Sequence, residues 1–486
     1  MEKDLKSKTV SGIFWKFMER IGAKLISLVV SIVLARLLLP EDYAVVAIVI
    51  VFIELSDVFI NSGFSSALIQ KKDADDVDFS SVFYASLVFS IALYAVLFFC
   101  APVIAWFYDM PILTPVVRVM GVKVIISALN ATQQAFVSRK MAFKKFFLAT
   151  LIGTIASAAV GIVMAYNGFG VWALVAQQLS NLAINTVVLW FVVRWRPKLV
   201  FSFARLKGLL SFGWKILCSD LLNTLFNDLR TLLVGRFYSK DDLAYYSKGK
   251  EYPNTIVTSI NSSLNVVLFS AISKEQDNVS VVKSMVKRSL KLGSYIIFPV
   301  MFGFAAAADS FVYVLLTEKW MPIVLFLQIY CIAFAMSPLL SINLQMIKAM
   351  GRSDLIIKLE IVKKVVGLAL LVGALFIGIE AVAISSLIAQ LFYYLANCFP
   401  NKKLVGYGVF EQLKDILPNF VMSAIMFICV YCIKFLIGNG ILLLITQVAC
   451  GVFVYVLMSL ITKNESFVYV LEKVKTFLKG RKKEKQ

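Results

Sequence analysis

Long apolar runs separated by short charged or Gly- and Pro-marked turns dominate the chain. Most runs are about 18–25 residues long, enough to cross a hydrocarbon core of about 30 Å as an α-helix. The strict alternation of a membrane β-strand is absent, so an outer-membrane barrel is excluded. Runs bounded by charged turns predict spans at 12–36, 43–63, 80–107, 115–137, 146–166 and 171–193 in the first half. The second half adds 212–235, 243–270, 291–316, 321–347, 355–377 and 380–399, followed by 416–437 and 440–461. The expectation is an all-α integral membrane protein with about fourteen transmembrane helices.

Composition supports that class. Of 486 residues, 60% are hydrophobic and only 16% are charged, against about 45–50% apolar and about 25% charged in soluble domains. The net charge of +20 gathers in the turns, where the positive-inside rule puts it, so no nucleic-acid partner is implied. The even-numbered connections hold the clusters: Lys71 and Lys72; Arg139, Lys140, Lys144 and Lys145; Arg194 to Lys207; then Lys283 to Lys291, Lys348 to Lys358 and Lys402 to Lys414. The odd-numbered connections hold few cations, among them Arg36, Arg118 and Arg236. That alternation predicts a multi-pass protein of the bacterial inner membrane with both termini in the cytoplasm. The N-terminal MEKDLKSKTV lacks a small-residue cleavage site and reads as mature chain.

The sequence also repeats with a period of about 200 residues. ARLLLPEDYA from Ala35 matches GRFYSKDDLA from Gly235, pairing Arg36 with Arg236, Glu41 with Asp241 and Asp42 with Asp242. Ser11, Trp15 and Lys16 recur as Ser211, Trp214 and Lys215 with a one-residue gap. Six spans per period put both copies in the same orientation, a known transporter plan of two parallel-repeat six-helix lobes. The predicted organisation is a lobe over 1–200, a lobe over 201–400, two further helices over 401–462, and a cytoplasmic amphipathic, polybasic tail over 463–486.

Ionisable groups inside a span are costly unless paired or hydrated, which makes them functional candidates. The first span carries Lys16, Arg20 and Lys24 at i, i+4, i+8, on one helical face. The second carries Glu54, Asp57 and Asn61. The seventh has Lys215, Ser219, Asn223, Asn227 and Arg230 with Asp220 and Asp228 beside them, and the eighth has Lys248, Lys250, Glu251, Thr255, Ser259 and Ser262. Polar stripes thus fall on equivalent spans of the two copies. They read either as a water-filled cavity between the halves, rich in cations, or as internal salt bridges that lock helices together. Lys16, Arg20, Lys24, Lys215, Arg230 and Lys248 are the candidates for holding an anion. Glu54, Asp57, Asp220, Asn223, Asn227, Asp228 and Glu251 are the candidates for polar lining or for coupling to H+ or Na+.

Other chemistry is missing. The chain has no histidine, and its seven cysteines lie in or near apolar runs, so all seven read as small buried apolar residues and no metal site is expected. No phosphate-binding G-x-x-x-x-G-K-[ST] loop occurs. The short outer loops leave no room for a membrane enzyme's surface site, and a selectivity-filter loop is absent. The reading is a transporter and not an enzyme, with no cofactor.

Trp15–Lys16 in the first span, ARLLLPEDY at its end and the run Asn61–Ser62–Gly63–Phe64–Ser65 resemble the Wzx-type polysaccharide flippases. The nearest likeness is to the colanic-acid and teichuronic-acid exporter-like group of the multidrug/oligosaccharidyl-lipid/polysaccharide exporter superfamily. The resemblance covers nearly the whole chain. Ala44 departs from it, standing where the family usually has Gly. What the resemblance implies is a substrate built as an oligosaccharide on undecaprenyl diphosphate, moved to the periplasmic leaflet by alternating access. A polysaccharide polymerase and glycosyltransferases are the implied partners, beside membrane lipids. The alternative is an ion-coupled multidrug exporter of the same superfamily, which calls for an acidic, cation-poor cavity.

Overall fold

The computed structural model describes residues 22, 24, 26–61, 68, 73–140, 143–438, 440–469 and 471–472. All regular structure among these residues is helical. In chain order the helices are α1 (Ile26–Leu37), α2 (Pro40–Ile60), α3 (Asp76–Phe107), α4 (Leu113–Arg139), α5 (Phe143–Tyr166) and α6 (Val171–Val192). Then come α7 (Phe203–Phe237), α8 (Lys240–Lys274), α9 (Val279–Ala306), α10 (Ile323–Ala335), α11 (Ser337–Ala349), α12 (Ser353–Leu375), α13 (Ile379–Val405), α14 (Val409–Cys432) and α15 (Ile441–Ile461).

Among the described residues ten helical segments are long and apolar enough to cross a membrane, with α10 and α11 counted as one. Large apolar side chains crowd their outer surfaces, with Trp106 and Phe191 each 81% exposed. Such a surface suits lipid and not water, and the protein is a multi-pass membrane protein. The sequence leads to about fourteen spans. The difference comes from charge: α7 and α8 run 35 residues each and α12 runs 23, but all three carry several ionisable residues that dilute their apolar character. Of the first predicted span, only the stretch from Ile26 to Leu37 forms a continuous described helix.

Local chemistry accounts for the turns. The repeated run builds the same device twice. In the first copy Asp42 Oδ2 accepts the Leu39 N–H at 3.1 Å, closing the start of α2. In the second, Asp242 Oδ2 accepts the Ser239 N–H at 3.3 Å and its hydroxyl at 2.7 Å, closing the start of α8. Each acid satisfies a backbone donor that a helix start leaves open. The turn into α6 needs glycine: Gly170 has φ +53°, and a Cβ there would lie 3.2 Å from Asp42 Oδ1.

Packing divides the chain into two compact units, residues up to Ala244 and residues from Tyr245. The repeat-based boundaries follow equivalence between helices, whereas this division follows contacts. In the first unit α5 packs along α6, α3 along α4, and α2 against both α4 and α7. The stretch between α6 and α7 is strapped to the start of α3. Trp195 is 7% exposed and sits among Phe79, Phe83 and Phe136, with its Nε1–H donating to Asp76 Oδ1 at 3.3 Å. Lys198 pairs with Asp76 at 2.6 Å and Arg205 with Asp75 at 2.5 Å. The Lys198 and Ser202 amides donate to Ser80 Oγ and Ser81 Oγ. In the second unit α9 packs on α14, and α13 packs on α12 and α10. The first turn after α15 docks there too: Glu465 pairs with Lys291 at 2.8 Å, and the Arg288 guanidinium lies 3.8 Å from the Tyr469 ring centre.

Candidate functional site

The helices place the sequence-derived candidates unequally. Lys16 and Arg20 lie outside the described residues, and so does the side chain of Lys215, whose backbone belongs to α7. Lys24, Asp228 and Arg230 are half-buried, Glu54 and Asn223 are exposed, and each is engaged by a neighbour. Asp220 is half-buried and Asn227 exposed on α7.

On α8 the polar stripe makes hydrogen bonds within its own helix. Lys248 is 7% exposed and donates to Glu251 Oε2 at 2.7 Å, one turn along. Its ammonium also lies 5.9 Å from the Tyr252 ring centre. The Thr255 hydroxyl bonds back to the Glu251 carbonyl and the Ser259 hydroxyl to the Thr255 carbonyl, both at 2.9 Å. Pro253 removes one helical N–H in the same stretch. At Lys248 and Glu251, internal pairing is therefore the observed arrangement.

Asp57 is different. It shares a side-chain hydrogen bond with Ser127 of α4, and Asn61 Nδ2 reaches the same hydroxyl at 3.4 Å. The Asp57 Oδ1 atom is sealed from solvent and has no hydrogen-bond partner. One turn before Ser127 stands Lys123, whose ammonium donates to Gln178 Oε1 of α6 at 3.3 Å. A polar layer continues from there. Asn130 donates to Asn185 Oδ1 at 3.2 Å, Asn181 to Ser157 Oγ at 3.1 Å, and Asn185 to Thr150 Oγ1 at 3.4 Å.

Sequence reasoning missed this layer. Lys123 lies inside a predicted span and is an ionisable intramembrane group of the same kind as those on the first, second, seventh and eighth spans. Gln178, Asn181 and Asn185 recur at helical spacing along α6, a legible polar stripe made of uncharged amides. Lys363 was missed too. It is 9% exposed, bonds Glu360 Oε1 at 2.5 Å and lies 5.9 Å from the Tyr393 ring centre. Of the cysteines, Cys331 and Cys398 are buried as expected, while Cys100, Cys218 and Cys432 lie at helix surfaces.

Outside the spans, electrostatics tighten two turns. The Arg205 guanidinium holds the Asp75 carboxyl down at about 2, helped by the backbone N–H groups that Asp75 caps. At the turn between α7 and α8, Glu41, Asp109, Arg236 and Asp241 help line a cleft of about 460 Å³. Burial there pushes the Asp241 carboxyl up, and the nearby charges of Glu41 and Asp242 push it further.

Among the described residues these arrangements offer fixed charge and amide dipoles inside a lipid-facing bundle. Comparisons with known proteins add the family. TuaB of Bacillus subtilis (strain 168), a teichuronic acid biosynthesis protein, is 25% identical over 302 residues, or 62% of this chain and 62% of that protein. The chain thus spans less than two thirds of that relative's length. The lipopolysaccharide biosynthesis protein WzxC of Escherichia coli (strain K12) is 22% identical over 423 residues, 86% of either chain. The lipid II flippase MurJ, in its inward closed conformation, shares the fold with a TM-score of 0.77 at 17% identity, over 93% of this chain and 98% of that one. The family described as "Polysaccharide biosynthesis protein" matches residues 33–325, more than half of the sequence, and the chain belongs to that family.

Proposed function

We propose that the protein moves an undecaprenyl-diphosphate-linked oligosaccharide across the bacterial inner membrane by alternating access, supplying surface polysaccharide biosynthesis. Family membership carries this reading. Cations inside predicted spans support it, because a diphosphate head group is anionic and guanidinium and ammonium groups bind phosphate through charge-assisted hydrogen bonds. Arg20, Lys24 and Lys215 with Arg230 are the proposed head-group contacts, while Lys248 reaches the head group only by exchanging Glu251 for it. The membrane arrangement that goes with this is fourteen spans, with α1, α7, α8 and α12 crossing alongside the ten apolar segments, two parallel-repeat lobes and both termini cytoplasmic. The acids Glu54, Asp57, Asp220, Asp228 and Glu251 are the pool from which coupling to H+ or Na+ is drawn. A polymerase and glycosyltransferases of the same biosynthesis are the proposed partners.

The test is reconstitution in liposomes with a fluorescent undecaprenyl-diphosphate oligosaccharide. Wild type is expected to flip the lipid, and Arg20→Glu and Arg230→Glu to lose flipping. A wild-type protein that ignores this lipid but exports a cationic dye down an ion gradient is a multidrug exporter, and the proposal falls.

A further inference from the structure

The first unit contains an intramembrane carboxylate that is only half satisfied. Asp57 has Ser127 on one side and nothing on Oδ1, although that atom is shut away from solvent. Leaving a buried acceptor open costs about 1–3 kcal/mol, more when it is charged. Lys123 acts on Asp57 electrostatically, yet its ammonium is committed to Gln178 and forms no ion pair with the carboxylate. A second acceptor nearby is open as well. Asn130, one turn beyond Ser127 on α4, is 1% exposed, and its Oδ1 has no donor.

A proton answers this arrangement better than a metal cation does. Protonating Oδ1 forms one O–H bond, takes H+ from the aqueous phase, and turns an unmatched acceptor into a donor. Sodium needs a shell of several oxygens. Here the Ser127 hydroxyl already accepts from Asn61, which leaves few open oxygens for such a shell. We propose that Asp57 is the proton-binding site that couples transport to the proton gradient, with Lys123 as its positioning residue through the Lys123–Gln178 bond. This deepens the transport reading and rests on it for the word coupling, but not for proton binding itself.

The other charged groups on α2 and the helices packed against it are Glu41, Asp42 and Glu54 on α2, Arg118 and Arg139 on α4, Asp76 and Asp78 at the start of α3, and Arg205, Lys207, Lys215, Asp220, Asp228, Arg230 and Arg236 on α7; α6 carries none. Arg118 donates to the Phe98 carbonyl at 3.3 Å, Asp76 and Asp78 pair with Lys198 and Arg205, and Asp228, Arg230 and Glu54 are engaged by neighbours. Asp57 differs from the other acids in this set by its sealed, partnerless oxygen.

The experiment is an infrared difference titration of the full protein in liposomes, following the carboxylic-acid stretch as pH changes. Asp57→Asn should remove one carboxyl signal that Glu54→Gln and Asp228→Asn retain. Lys123→Met should let that signal persist to a pH higher by about one unit or more, because an opposing charge is gone, and Lys123→Arg should restore it. Flipping driven by a pH gradient should lose at least tenfold of its gradient dependence in Asp57→Asn. A signal unchanged in Asp57→Asn overturns the proposal. Sodium that abolishes the signal at fixed pH also overturns it, in favour of a sodium site. Should wild type flip no lipid at all, the transport reading fails while the infrared result still decides the proton site.

Discussion

Gly249 sits where α8 meets α10, one residue from Lys248 and two from Glu251. A Cβ at Gly249 would stand 2.5 Å from Phe326 Cβ, 3.1 Å from the Leu327 nitrogen and 3.3 Å from the Ile323 carbonyl oxygen. None of these atoms is the tip of a flexible side chain, so Gly249→Ala forces the helices apart. The neighbours have little slack: Leu327 and Tyr246 are fully buried, and the Tyr330 hydroxyl bonds the Tyr246 hydroxyl at 2.6 Å. Alanine gains about 0.5–1 kcal/mol of helix propensity. Overpacking costs about 1–3 kcal/mol, and a strained buried hydrogen bond adds about 1 kcal/mol. The expected net loss is about 1–3.5 kcal/mol. Gly373→Ala is the control, because no atom lies within 4 Å of its Cβ position, and it should leave stability unchanged or raise it by up to about 1 kcal/mol. Thermal unfolding in detergent, read by thiol labelling of the buried Cys331 and Cys398, measures both. A Gly249→Ala protein as stable as the control would refute the close approach and with it the positioning of the Lys248–Glu251 pair.

Three further outcomes are expected. Trp195→Ala should cost about 3–5 kcal/mol and speed amide hydrogen exchange at Lys198 and Ser202; unchanged exchange would show that the linker is not held by its aromatic anchor. The Asp75 carboxyl lies lower in the folded protein, at about 2, than the roughly 3.9 of an unfolded chain. Its contribution is therefore complete above that range and fades as pH falls toward about 2, so protection at the Arg205 amide should follow that acid limb and lose it in Arg205→Met. Asp241 has the opposite sign. Its raised folded value makes the ionised form a cost near neutral pH that disappears in acid, so Asp241→Asn should raise thermal stability at neutral pH and match wild type in acid.

Much of this protein is a one-dimensional problem. Crossing lipid demands a run of apolar residues with all backbone donors paired inside the segment, so every predicted span overlaps an observed helix. The helix-start device at Asp42 and Asp242 is equally local, because the acid and its backbone donor are three residues apart. The Lys248–Glu251 pair is local too, one turn apart on α8. Position in sequence did not reveal that this pairing occupies the lysine, since a polar stripe looks the same whether it faces water or itself.

What tertiary structure alone decided is which polar groups meet. Asp57 and Ser127 are 70 positions apart, Lys123 and Gln178 are 55 apart, and Asp75 and Arg205 are 130 apart. In lipid, helices gain little from apolar contact with one another, so their pairing depends on close packing at small residues and on buried polar contacts. Those contacts are set by how α2, α4, α6 and α7 cross, which no periodicity along a single segment encodes. The sequence determines that intramembrane charge exists and must be answered; the packing of helices determines which charge is paired with a neighbour and which atom, like the open oxygen of Asp57, is left without a partner.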